Sequence, residues 1–297
     1  MTTSYISDAE KLMRPFGDHV AETPSYLAPE RLPELQSILG DPPWELVFLD
    51  TATNLKAIPA TGAEDPKLAA SYWALLSLWA TAKYAVLIGD AVAVTLLSGE
   101  TTLSSAPGSA YDTALKYLQL ARDLTKNRHH PFPANLAVPN ASPTAAEDLR
   151  VNNLFYGAVG WVLLHEIGHI HLSHEVDTTA DLKKQQEYEA DLWATKWILA
   201  GNGISPQHYQ FRLFVVSTAL LWVGQMNVVK GPSNTHPEAV DRIDRCRRLM
   251  EARDDQEGLE LAAYVLKVAF LPRLQIGEFG TAAQAFDEVL YNYTRLA

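Results

Sequence analysis

Two histidines four residues apart, with a glutamate after the first, close a continuous apolar run: His165-Glu166-Ile167-Gly168-His169, preceded by residues 154–164. On a helix, positions i and i+4 share a face, with Cβ atoms about 5–6 Å apart. Imidazoles so placed can share one zinc ion at Zn–N distances of about 2.0–2.1 Å. Glu166 then projects beside the metal, where a carboxylate can act as general base on a bound water. The chemistry this pattern predicts is hydrolysis by metal-activated water. The alternative is a pair of core histidines satisfied by hydrogen bonds. A lone histidine on an apolar face is usually that, whereas two at this spacing with a glutamate between them favour the metal.

A catalytic zinc needs a third protein ligand and one open position. His171, His174 and Glu175 are the nearest candidates. The metzincin pattern wants a glycine and then a third histidine, but Leu172 and Glu175 occupy those positions. Residues 172–174 are therefore expected to finish the helix. A better ligand lies in residues 186–194. Read as a helix, Glu187, Asp191, Ala194 and Ile198 share one face, flanked by Ala190 and Trp197. Carboxylates on an otherwise apolar stripe are costly unless paired or metal-bound, and the alanines let a second helix come close. Glu187 is expected as third ligand. Asp191, one turn on, is expected to orient a ligand imidazole from behind, and Glu189 to face solvent. An ordinary charged helix start would supply the same two acids, although the upstream pentad favours the ligand reading. A third element is residues 233–243, where Pro237 suits a first helical turn and Thr235 or His236 its cap. His236 is expected over the site, either as a transition-state donor or as a fourth, inhibitory ligand. A plain helix-start role is the alternative.

The elements that must position these groups read as mainly helical with a small β element, an α+β chain. Thr144, three residues before Glu147, offers a capping box for the helix that carries the pentad. Further helices are expected near 180–200, 206–229, 237–253, 256–271 and 281–295, with others at 28–39, 67–87 and 111–126. Residues 44–50 and 54–58 alternate and predict a hairpin, and Val92, Val94 and Thr95 within 88–103 also suit a strand. The prolines of residues 130–143 mark an ordered connector. It divides an N-terminal region, 1–140, from a helical core, 141–297, the two packed as one compact unit. The polar residues 173–185 suggest a mobile loop at the site mouth. Six of the tryptophans (Trp73, Trp79, Trp161, Trp193, Trp197 and Trp222) are expected to pack rather than bind.

With 47% hydrophobic and 20% charged residues, the 297-residue chain can bury a substantial core and is not of disordered composition. A net charge of −11 argues against nucleic-acid or anionic-membrane binding. The single Cys246 excludes an intramolecular disulfide framework. Its arginine flanks, Arg245, Arg247 and Arg248, would lower its pKa. The first residues lack the basic and apolar regions of a signal peptide. The apolar runs at 85–97 and 213–224 fall short of the roughly 18–20 residues that a spanning helix wants, which predicts buried helices of a soluble chain.

The motifs resemble gluzincin-type zinc metallopeptidases, in which a glutamate from a later helix completes the H-E-x-x-H site. His165 to His169, Glu187 to Asp191 within E-Y-E-A-D-L-W-A, and His236-Pro237 with Arg242-Ile243 carry the resemblance. The triplet is similar to the HtpX and CAAX-protease group, whose members are embedded in membranes. Length, composition and the run H-E-I-G-H-I-H-L-S-H more closely resemble the Lit-type phage-exclusion peptidases, bacterial cytosolic proteases that cut a translation factor on phage infection. A third likeness is to the ImmA/IrrE group, which cleaves repressors, with its E-x-E-A-N standing here as Glu187 to Asp191. The resemblance covers residues 144–245. It implies a zincin-like helical core, zinc on His165, His169 and Glu187, catalysis by Glu166 with His236, and a protein or peptide substrate in the cytoplasm. It also implies that substrate lies along a sheet edge by strand addition, from within 44–58 or 88–98. The alternative is a regulated or inactive zinc protein that acts through an activating or inhibitory partner.

Overall fold

The computed structural model describes residues 6–40, 45–49, 55–58, 67–175, 177–200, 204–231, 233–250, 257–270 and 282–296. Among these, four short helices come first: α1 (Asp8–Met13), α2 (Gly17–Val20), α3 (Thr23–Leu27) and α4 (Leu32–Leu39). Three strands follow, β1 (Leu46–Phe48), β2 (Leu55–Ile58) and β3 (Lys67–Ala70). Then come α5 (Tyr72–Leu97), α6 (Ala110–Lys126), α7 (Ala146–His171), α8 (Ala180–Leu199), α9 (Pro206–Lys230), α10 (Ala239–Met250), α11 (Glu257–Phe270) and α12 (Ala282–Leu296). The chain is mainly α with one small sheet, as the residue pattern implies.

α7 is the axis of the molecule. Its residues from Leu154 to Gly168 are nearly all buried, as expected of a helix that is apolar on every side. α8, α5, α9, α3 and β2 all pack on it. It starts at Ala146 with Ala145 as its cap, so Thr144 does not form the expected capping box. Glu147 is engaged elsewhere. The Lys83 ammonium, almost fully buried on α5, donates to Glu147 at 2.5 Å and to Asp148 at 3.0 Å. A buried ammonium is costly without such partners, and meeting its need ties α5 to the first turn of α7. Trp79, Trp161 and Trp222 lie wholly in the core, each N–H with an acceptor: Asn152, Thr195 and Ser77.

The close pairing of α7 and α8 turns on Gly168. A Cβ there would stand 3.1 Å from the Trp193 ring and 3.5 Å from the Ala190 Cα. Small residues on both sides let the two backbones approach, and that approach brings the donors of α8 onto the histidines of α7.

The sheet departs from expectation. Its order is β1-β3-β2, with β1 parallel and β2 antiparallel to β3. The two early strands therefore do not pair as a hairpin; each pairs with residues 67–70, which had read as the start of a helix. Extended partners on both sides outweigh the helical preference of Leu68, Ala69 and Ala70. Residues 44, 50 and 54, also assigned to strands, lie outside the described residues. Residues 88–97 are helical, not a strand. α5 runs unbroken through Val92, Val94 and Thr95, and the Thr95 hydroxyl donates to the Ala91 carbonyl at 2.7 Å within the helix.

α5 and α9 are long and apolar enough, by length and composition, to cross a membrane, longer than their apolar runs alone suggested. Of the most apolar stretch in each, 61% and 67% respectively is buried against the rest of the chain. Residues 180–185, read both as the start of a helix at 180–200 and as the end of a loop, are the start of α8, with the Thr179 hydroxyl capping the Leu182 N–H. Gly168→Val should push α7 and α8 apart. We expect it to lower unfolding free energy by about 1–3 kcal/mol, read as a drop in the denaturant midpoint at unchanged slope.

Candidate metal centre

One donor atom each from His165, His169 and Glu187 lies within 4.8 Å of the others. The two imidazole Nε2 atoms face each other at 3.2 Å. Glu187 answers both, with one oxygen 3.6 Å from His165 Nε2 and the other 3.6 Å from His169 Nε2. His165 is buried, Glu187 is mostly enclosed with its side chain 14% exposed, and His169 is a quarter exposed. Helical spacing on α7 sets the histidine pair, and the close crossing of α8 supplies the acid. Two nitrogens and a carboxylate converging on one point fit a divalent ion such as zinc. Asp191 sits behind them. Its carboxylate is 2.9 Å from His165 Nδ1, an ion-pair contact that lies off the axis of a hydrogen bond.

Sequence reasoning assigned no role to Arg242. From α10 its guanidinium pairs bidentately with Asp191, both contacts at 2.7 Å, and reaches Glu187 at 3.4 Å. The available signal was physical. Ala239, Arg242, Ile243 and Cys246 share the buried face of α10, and an arginine on such a face needs an acid. Asp191, an acid on the apolar face of α8, needed the converse.

Charge follows from this geometry. Burial by itself would lower the His165 pKa, but Asp191 and Glu187 override it and hold the ring up at about 10. Burial and the neighbouring positive His165 push His169 down to about 3, which leaves that ring neutral with a lone pair free. Burial would raise Glu187, yet His165, Arg242 and His236 keep it far below the usual carboxylate range. The centre is thus a buried acid between imidazoles, an environment that favours a cation. The Cys246 thiol, whose arginine flanks would by themselves lower its pKa, is fully buried, and burial pushes its pKa up. It is inert packing that accepts from the Thr195 hydroxyl at 3.4 Å.

Glu166 lines the same cavity of about 440 Å³ as His165, Glu187, His236 and Arg242. Leu55 of β2 also borders it, as do Asn227 and Lys230 from the end of α9. A larger cavity of about 680 Å³ opens around Tyr156, earlier on α7, but it holds none of the three donors. The smaller one is where open volume meets the chemistry. His236 is half exposed, its Nε2 3.8 Å from a Glu187 oxygen and its Nδ1 3.0 Å from the Thr235 hydroxyl. α10 begins at Ala239, so Pro237 lies ahead of the helix rather than in its first turn, its carbonyl accepting from the Asn227 amide at 3.3 Å. His174 is not a ligand, because it abuts the Nδ1 side of His169, opposite the Nε2 that faces the other donors. Glu189, expected to face solvent, is half exposed and accepts from His174 and Gln185.

A helical chain that brings two histidines and a distant glutamate to one point, with a second glutamate at the cavity, has the build of a metallopeptidase. The comparison with known families makes this specific: residues 68–263 match the Peptidase U49 model, and the chain belongs to that family of Lit-type peptidases. It is also 35% identical over 135 residues to a cell death peptidase of Escherichia coli (strain K12), a match that covers 44% of this chain and 44% of that relative. The chain therefore matches less than half the length of that relative. No solved structure matches.

Arg242→Leu strips Asp191 of its partner inside the protein. Removing one member of a buried pair costs about 3–5 kcal/mol, and a loss of that size should appear in urea unfolding of the metal-free protein.

Proposed function

We propose that this peptidase is a zinc-dependent endopeptidase that hydrolyses a protein substrate in the cytoplasm of a bacterium, in a cell-death or phage-defence setting. The observation that carries the reading is the convergence of His165, His169 and Glu187, with Glu166 on the same cavity. The setting rests on the name of the Escherichia coli relative and on the family.

His165, His169 and Glu187 would hold the ion, which when bound supplies an acidified water and a polarised carbonyl. Glu166 takes the proton of the attacking water and delivers it to the leaving amine nitrogen. His236, half exposed at the rim, donates to the oxygen on which negative charge develops. Asp191 and Arg242 keep the His165 ring and the Glu187 carboxylate in place. β2 has β3 as its neighbour among the described residues, and Leu55 brings it to the cavity. An extended substrate segment would lie along that strand and present alternate side chains to the cleft.

Two substitutions test the reading. Glu166→Gln should retain one zinc per chain by elemental analysis while losing about 10²–10⁴-fold in kcat. The assay is the appearance of new N-termini in a bacterial lysate, counted by mass spectrometry. Full activity in that variant would refute the mechanism. His236→Ala should lower kcat by about 10²–10³-fold, as for loss of an oxyanion donor. A rise in basal activity would instead favour the regulated reading, which the 3.8 Å approach of His236 to Glu187 also supports. In that reading His236 closes the open position until a partner displaces it.

A further inference from the structure

α7 ends at an unusual residue. Ser173, not a glycine, takes the left-handed conformation with φ 55°, which an L-residue adopts only at a cost. Its N–H donates to the Ile170 carbonyl at 3.0 Å, and the His174 N–H donates to the His169 carbonyl at 3.0 Å. These are the two bonds of a Schellman closure. The turn throws the His174 side chain back against the His169 ring, with centroids 4.9 Å apart and planes at 71°.

The contacts that follow form a chain. His174 Nδ1 lies 2.7 Å from His169 Nδ1, and His174 Nε2 lies 3.2 Å from Glu189. The other Glu189 oxygen accepts from Gln185 at 2.8 Å. The imidazole of His174 is 7% exposed, as enclosed as that of His165. The next residue is clamped as well. In the orientation that satisfies both groups, the buried Gln186 amide accepts from the Glu175 N–H at 2.8 Å and donates to its carbonyl at 3.1 Å.

Two ring nitrogens 2.7 Å apart cannot both carry a hydrogen, and two bare lone pairs would repel, so one donates to the other. Glu189 settles the direction. A carboxylate only accepts, so a neutral His174 presents N–H at Nε2 and a bare Nδ1. His169 must then carry its hydrogen on Nδ1 and leave Nε2 bare. That Nε2 is the atom facing His165 and Glu187. Each histidine of the pentad is thus backed by a carboxylate, His165 directly by Asp191 and His169 through an intervening imidazole.

We propose that His174 and Glu189 are a positioning pair that fixes the tautomer and tilt of His169, so that its Nε2 is presented to the metal. The inference rests on the metal reading of the site, and the test separates the two. Zn²⁺ affinity is measured on the full chain by competition with a chromophoric chelator, and the Co²⁺-loaded form is followed by its visible absorption bands. Loss of an outer partner of a ligand histidine typically weakens metal binding about 10–100-fold, and His174→Leu should do the same and shift the Co²⁺ bands. His174→Asn, whose side-chain oxygen can still accept from the His169 Nδ1–H, should restore most of the affinity. Glu189→Leu should weaken binding less than His174→Leu, and the double variant should be no weaker than His174→Leu alone, since the two act in series. If His174→Leu does not fold, the half-exposed Glu189→Leu carries the same test. Wild-type Zn²⁺ affinity and unshifted Co²⁺ bands in these variants, beside weakened binding in Glu187→Gln, would overturn the pair and leave the metal centre standing. A wild-type chain that takes up no Zn²⁺ would overturn both.

Discussion

Burying Asp191 is the constraint around which the rest of the site is arranged. A carboxylate 1% exposed carries a desolvation cost of several kcal/mol, which only well-aimed partners offset. Arg242 supplies a bidentate pair from α10 and His165 a contact from α7. Three helices are thereby obliged to meet at one point, and the orientation of His165 comes with that obligation. Glu187, one turn earlier on α8, shares Arg242 only at 3.4 Å. It therefore keeps negative charge in reserve between two imidazoles. The same cluster stabilises the crossing and leaves a place for a cation, so fold and chemistry draw on one set of charges.

The legible parts of the site were those encoded by local spacing. His165 and His169 lie one turn apart, as do Glu187 and Asp191, so helical periodicity alone places each pair on a face. What stayed hidden depends on contacts between distant residues. Arg242 finds Asp191 across 51 positions, and nothing in the local pattern around either names the other. His174 reaches His169 only because Ser173 adopts a positive φ, a choice that no serine advertises. The sheet order was illegible for the same reason. Lys67–Ala70 becomes a strand through neighbours on both sides, not through its own preference. Residues 88–97 carry β-branched side chains yet continue a helix already committed by packing upstream.

The family match spans residues 68–263 and so contains every group placed in the candidate metal centre. It begins within β3. The short helices α1 to α4 and the strands β1 and β2 lie outside it, yet Leu55 of β2 borders the cleft. The candidate donors therefore lie in the part matched by the family, whereas one wall of the cleft comes from the part outside the match.

α5 has a consequence for how the molecule is made. Its Tyr84 hydroxyl, in the core, donates to the Val265 carbonyl, 181 residues later. A helix apolar enough to resemble a membrane span thus waits for α11 before it is fully enclosed. During synthesis, at about 5–20 residues per second, the part of α5 that α11 covers lacks that neighbour for roughly ten seconds or more, while α6 and α7, which pack on α5 more extensively, are made sooner. Such an interval is long compared with the microseconds of helix formation. α5 therefore has time to form as a helix and to gather its nearer neighbours before the C-terminal helices can close over it.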